Sequence, residues 1–162
     1  MTDEAARTAG EAKALNDIER YGLHVLHVLH VLPEDDRPNF SYSIGIEATL
    51  KMPEAIVIGL RPEVAQYMIN EFYRKAKAGE NVGAGALVAD LIDGFECRMS
   101  PVDATRFRAA FGWASWLHGG KPFRVLQIVY PDLDGRWPED PEVDPALHLQ
   151  QPILENPGVV FP

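Results

Sequence analysis

Three histidines stand at three-residue intervals, His24, His27 and His30, inside a tandem His-Val-Leu repeat. Imidazole is a common ligand for zinc, iron and copper, so the first chemistry this spacing offers is a transition-metal site. Backbone geometry decides whether it can be used. On a strand, His24 and His30 share a face roughly 20 Å apart at ~3.3 Å per residue, while His27 points the other way. On a helix, each would neighbour the next. The valines of the repeat and the preceding Gly22 favour a strand over residues 23–32, with His27 inward on an otherwise apolar odd-numbered face. Three such histidines cannot hold one ion, so no metal is predicted, and a site built from two of them ranks third among functions. The tandem unit also has the form of a duplicated short coding repeat.

Other chemical groups are isolated. Cys97 is the single cysteine, which excludes an internal disulfide framework. As a nucleophile it would need a base such as His118, distant in sequence; on a strand it reads as a small core residue. Residues 79–85 (GENVGAG) imitate a phosphate loop but lack the Lys-Ser/Thr that cradles a nucleotide. Asp132-Leu133-Asp134-Gly135 opens like a calcium loop, yet the later ligands are missing, and an Asp-Gly turn is expected. Gln127 interrupts an apolar strand, and a buried amide there needs partners. It forms one wall of a candidate pocket with His24, Tyr42, Ser43 and Trp137. No acid, base and nucleophile fall at motif spacing, so catalytic residues stay unassigned.

The elements that must position these groups are legible as alternating patterns. A thin apolar stripe predicts a surface helix up to residue 20, ended by Gly22. Phe40, Tyr42 and Ile44 mark a strand that pairs with residues 23–32 across a proline-bounded loop. Residues 55–60 are apolar throughout, as a strand covered on both faces would be. Pro62 then opens a helix with Val64, Met68 and Phe72 on its buried face. Residues 87–92 suggest a short helical turn, 95–102 a strand, and Asp103 the cap of a second strong helix closed by Gly119-Gly120. Residues 124–130 are the last predicted strand. The fold class is α+β: a mainly antiparallel sheet of about six strands, with barrel-like closure as one option, and two or three helices. The chain divides into an N-terminal helix (1–20), one core domain (21–130) and an acidic tail (131–162). Seven prolines in the tail's 32 positions preclude long helices, and its apolar residues imply packing on the core.

Composition bounds the rest. At 162 residues, with 46% apolar and 24% charged side chains, one globular domain is expected. The formal charge is −9, unevenly spread: −4 over residues 1–39, +1 over 40–130 and −6 over 131–162. That field repels phosphate backbones and anionic lipid surfaces, so neither nucleic acid nor membrane is an expected partner. There is no signal-peptide pattern and no apolar run near the ~18 residues of a membrane span, which points to the cytoplasm. Phe72, Tyr73, Phe107, Phe111, Trp113 and Trp116 give the helices an aromatic surface large enough to suggest a homodimer.

Several blocks carry a resemblance. Residues 21–25 (YGLHV), 38–45 (PNFSYSIG), 53–60 (PEAIVIGL), 93–95 (DGF), 125–132 (VLQIVYPD) and 134–138 (DGRWP) occur in this order. In that arrangement the chain resembles a bacterial family known as domain of unknown function 4262, over roughly residues 20–138. Leu23 stands where that family usually has Trp, and the His-Val-Leu run is longer. The resemblance implies a small bacterial cytoplasmic protein and brings no reaction, cofactor or catalytic residue. The expected function is a non-catalytic protein-interaction or accessory module, with a protein partner. The alternative is a small-ligand or flavin-binding enzyme on a split-barrel-like sheet. No cofactor is predicted; flavin and a transition metal are the groups to test for.

Overall fold

The computed structural model describes residues 8–162. Part of the predicted N-terminal helix, residues 1–7, lies outside the described residues. Within them the helix α1 runs Ala9–Tyr21, its first turn capped by the Thr8 hydroxyl, which accepts from the Glu11 N–H at 3.1 Å. Gly22 ends it at φ 91°, and an added Cβ there would lie 2.0 Å from the Tyr73 hydroxyl, so both backbone and space demand glycine.

Six strands follow: β1 His24–Val28, β2 Phe40–Ile44, β3 Glu54–Ile58, β4 Leu87–Ile92, β5 Phe95–Val102 and β6 Val125–Val129. They form one open sheet in the order β1-β2-β3-β6-β5-β4. Every neighbouring pair is antiparallel except β3–β6, which is parallel. The fold is thus α+β with a mostly antiparallel sheet, and β1 and β4 are free edges rather than a closed barrel. All five residues of β2, of β3 and of β6 are buried, the signature of strands covered on both faces.

On one face lies α3, Pro62–Lys77, whose Ala65, Met68, Ile69 and Phe72 meet Ala55, Val57, Cys97, Met99 and Ile128 of the sheet. On the other face, Phe40, Tyr42, Ile44, Ile56, Ile58 and Val125 are covered by several separate pieces. These are α1, a 3₁₀ turn Ala104–Phe107, a short helix α4 (Gly112–Leu117) and the C-terminal segment with Leu154 and Phe161. A five-residue helix α2 (Ile46–Leu50) joins β2 to β3, and α5 (Pro145–Gln150) lies within the tail.

Four expectations are corrected. The first strand stops at Val28, because its partner β2 begins at Phe40 and Pro38 has no N–H to extend the ladder. His27 lies on an edge strand and is exposed rather than buried. Residues 87–92 are a strand, not a helical turn; a bulge between Ala89 and Ile92, with Asp90 at φ 66°, sets buried Val88 and Leu91 three residues apart. The long second helix is replaced by the 3₁₀ turn and α4. Asp103 does cap the turn, accepting from the Thr105 N–H at 3.0 Å, but the chain then bends to set Phe107, Ala110 and Phe111 on the sheet. Phe72, Phe107 and Phe111 are buried within the chain, which removes much of the aromatic surface on which a dimer was expected.

Candidate functional site

The predicted pocket residues lie on β1 (His24), β2 (Tyr42 and Ser43), β6 (Gln127) and in the tail (Trp137). His24 on β1 donates from Nδ1 to Asp17 Oδ2 at 2.8 Å, tying the first strand to α1. Asp17 is held below the usual carboxylate range by its hydrogen bonds to Lys13 and His24. Tyr42 and Gln127 flank Ile56 in one row across β2, β3 and β6. Tyr42 meets Phe111 edge-on with ring centroids 5.2 Å apart, and its burial pushes the phenol up to about 12. Gln127 has its partners in the tail: Nε2 donates to the Pro152 carbonyl at 2.9 Å, and Oε1 accepts from the Leu154 N–H at 2.9 Å. Trp137 lies under the Arg98 guanidinium, 5.0 Å from its ring centroid. The remaining histidines have separate partners. His27 hydrogen-bonds Ser41 Oγ at 2.6 Å and Gln66 Oε1 at 3.1 Å, while His30 Nδ1 donates to the Pro38 carbonyl at 2.9 Å.

Ser43 belongs to a polar lock that sequence reasoning missed. Glu54, the first residue of β3, is 1% exposed. Its carboxylate accepts from Ser43 Oγ at 2.9 Å and from the N–H groups of Gly45, Ile46 and Glu47 at 3.1, 3.1 and 3.2 Å. Ser43 Oγ in turn accepts from the Ala55 N–H at 2.9 Å. The carboxylate therefore pins the β2–α2 corner to the start of β3 where the strand ladder ends. Opposite it, His118 Nε2 lies 3.8 Å from Glu54 Oε2, beyond hydrogen-bond reach. Among the described residues it is the one buried side-chain polar atom without a hydrogen-bond partner. The imidazole stacks on Phe123, ring centroids 5.2 Å apart at 15°. The sequence signal was present in outline, since a glutamate opening a wholly apolar strand must be either exposed or fully satisfied.

Serine, glutamate and histidine side by side invite comparison with a hydrolytic triad, but the order of contacts is wrong. There the imidazole stands between the serine and the acid and takes the serine proton. Here the acid stands between the other two, and Ser43 is committed to Glu54 and Ala55. Cys97 is no better placed: it is fully buried under α3, across the sheet from α4 and His118, and burial pushes its thiol up to about 12.

Phe123 also lines a cleft of about 880 Å³. It is lined by the end of the sheet at Pro53, Val102 and Val125, where β3 and β6 begin and β5 finishes, and the 3₁₀ turn and α4 supply Ala104, Thr105 and Ser115. Gly83–Ala84 and Gly120–Lys121, from two glycine-bearing loops, stand at its margins. Within the described residues no His, Cys, Asp and Glu side chains form a metal-holding group, and no helix is long and apolar enough to cross a membrane.

Fold and site together define an α+β domain whose sheet is wrapped on both faces and which has a cleft of about 880 Å³ beside a locked strand corner. The chain belongs to the family described as Domain of unknown function (DUF4262), whose model matches residues 17–144. No curated protein and no solved structure matches it.

Proposed function

We propose that this protein is a non-catalytic binding module whose partner is a small molecule seated in the cleft beside Phe123. The observation that carries the reading is the cleft itself: about 880 Å³ lies within the range of pockets that take small ligands. Its walls are mostly apolar, from Pro53, Val102, Pro122, Phe123 and Val125, with a few polar groups at the margins. The adjoining Ser43–Glu54–His118 group supports binding over catalysis, because its contacts tie elements together and leave no activated nucleophile. The proposal sets the module in the bacterial cytoplasm, in keeping with a lone, buried cysteine.

The test is a thermal-shift screen with a small-molecule panel on the wild type and an Ala84→Trp variant. Ala84 is exposed on the cleft margin, so the indole fills the space without disturbing the core. Ligands should raise the wild-type melting temperature and lose that effect in the variant. Hits that stabilise both proteins equally would place binding elsewhere.

A second reading, docking of a protein or a second copy, is favoured by Leu29, Val31 and Leu32, which are 48%, 78% and 60% exposed. Light scattering on the wild type and a Val31→Glu/Leu32→Glu variant separates them. A mass near 18 kDa for both speaks against a homodimer.

A further inference from the structure

The chemistry of the cleft's ligand can be taken further, resting on the reading of that cleft as a small-molecule site. Four charged residues line it: Arg108, Lys121, Arg124 and Asp103. In a chain of net charge −9, three cations against one carboxylate reverse the sign of the molecule at this place. The lone acid is already engaged, since Asp103 Oδ1 accepts from the Thr105 N–H at 3.0 Å and from Thr105 Oγ1 at 2.6 Å. Arg124 is engaged as well: its Nε lies 3.2 Å from both Glu47 oxygens and its Nη2 donates to the Lys51 carbonyl at 2.7 Å. Arg108 and Lys121 differ, for neither has an ion-pair or hydrogen-bond partner for its side chain among the described residues. Two uncommitted cations therefore border a concavity whose other walls are Val102, Phe123 and Val125. A cleft of one sign with low-dielectric walls concentrates the opposite charge.

We propose that the cleft takes a small organic acid: its carboxylate between Arg108 and Lys121, its apolar body against Val102 and Phe123. Arginine suits this role because its planar guanidinium can meet a carboxylate with two parallel hydrogen bonds. Two cations are too few to hold a nucleic-acid backbone against the chain's own field.

The experiment uses two fluorescent probes of similar aromatic body, anionic 8-anilinonaphthalene-1-sulfonate and uncharged N-phenyl-1-naphthylamine. Both are titrated into the wild type, an Arg108→Glu/Lys121→Glu variant and Ala84→Trp. Arg108 and Lys121 are exposed, so the charge variant should melt as the wild type does; the milder Arg108→Gln/Lys121→Gln pair replaces it if not. The expected result is that the charge variant binds the anionic probe about tenfold more weakly and the uncharged probe unchanged. Ala84→Trp should lose both. If the charge variant holds the anionic probe as tightly as the wild type while Ala84→Trp loses both, the cleft is a ligand site and the organic-acid inference falls. If Ala84→Trp binds both probes normally, or the wild type binds neither, the cleft reading falls and takes the inference with it.

Discussion

Glu54 shows how much one buried side chain can organise. Its four donors come from β2 and the β2–α2 corner, so removing its charge strands several backbone N–H groups at once. Glu54→Gln keeps one acceptor oxygen but turns an amide NH₂ toward donors. We expect a loss of about 2–4 kcal/mol, read from urea unfolding; a loss below about 1 kcal/mol would show that the lock matters little. Gln127 is a second such residue. Gln127→Leu should cost about 2 kcal/mol, since the Leu154 N–H and Pro152 carbonyl lose their partner, and should speed proteolysis within residues 151–162. The two residues differ in legibility. Gln127 stood out as a polar side chain inside an apolar strand, and its need for partners was evident, though not that the tail supplies them. Glu54 sat beside a proline at a strand start, where an exposed glutamate is ordinary. Only the fold of β2 back over β3 makes it a core residue. His118 stood out only as a distant base for Cys97; its relation to Glu54 was not legible, because it spans 64 positions of chain and depends on where α4 ends.

At the scale of elements, the legible parts were those whose pattern is local. Strands β2, β3, β5 and β6 and helix α3 follow from alternation, apolar runs and a proline at the first helical turn. What failed was decided by pairing and packing rather than by the local pattern. Val88 and Leu91 carry helical spacing, yet the bulge at Asp90 produces the same spacing in an edge strand once β5 is there to pair with it. The region after Asp103 had the aromatic residues of a long helix, but Phe107 and Phe111 each need the sheet. The tail's composition predicts an apolar segment without regular secondary structure; it in fact holds the short helix α5, capped by Asp144 and opened by Pro145. Its buried Val143, Ile153, Leu154 and Phe161 together correspond to about 6–12 kcal/mol of apolar burial before ordering costs. Gly59 shows how close that packing is: at φ 89°, an added Cβ would lie 2.3 Å from the Gln150 carbonyl oxygen. Deleting residues 151–162 should therefore lower the melting temperature by more than about 10 °C and expose dye-binding surface. A shortened chain that melts like the full one would show that the tail contributes nothing to the core.

For the whole molecule, the clearest expectation concerns alkaline pH. Burial pushes the Cys97 thiol from 9.0 and the Tyr42 phenol from 10.0 each to about 12, and raises Tyr130 as well. The neutral forms are the ones the fold accommodates, whereas the unfolded chain ionises at ordinary values. Their contribution is complete below about pH 9 and is lost as pH climbs towards 12, with each group weakening the fold by up to about 1.4 kcal/mol per pH unit in its window. Urea unfolding between pH 8 and 11 measures the slope. Cys97→Ala should be less stable at pH 8 but show a shallower decline from pH 9 to 10, where the thiol's window opens before that of the phenols; parallel slopes would refute this account.

The way the second sheet face is closed also bears on how the protein is made. Phe161 contacts Phe40, with ring centroids 4.8 Å apart, and Leu154 is clasped by Gln127, so this sheet face is completed by a segment that follows all six strands in the chain. On the ribosome, the strands and α3 can assemble while Phe40, Ile56 and Ile58 still look outward. A nascent chain stalled before residue 150 would leave the side of that face around Phe40 open to chaperones or to other stalled chains until residues 151–162 emerge.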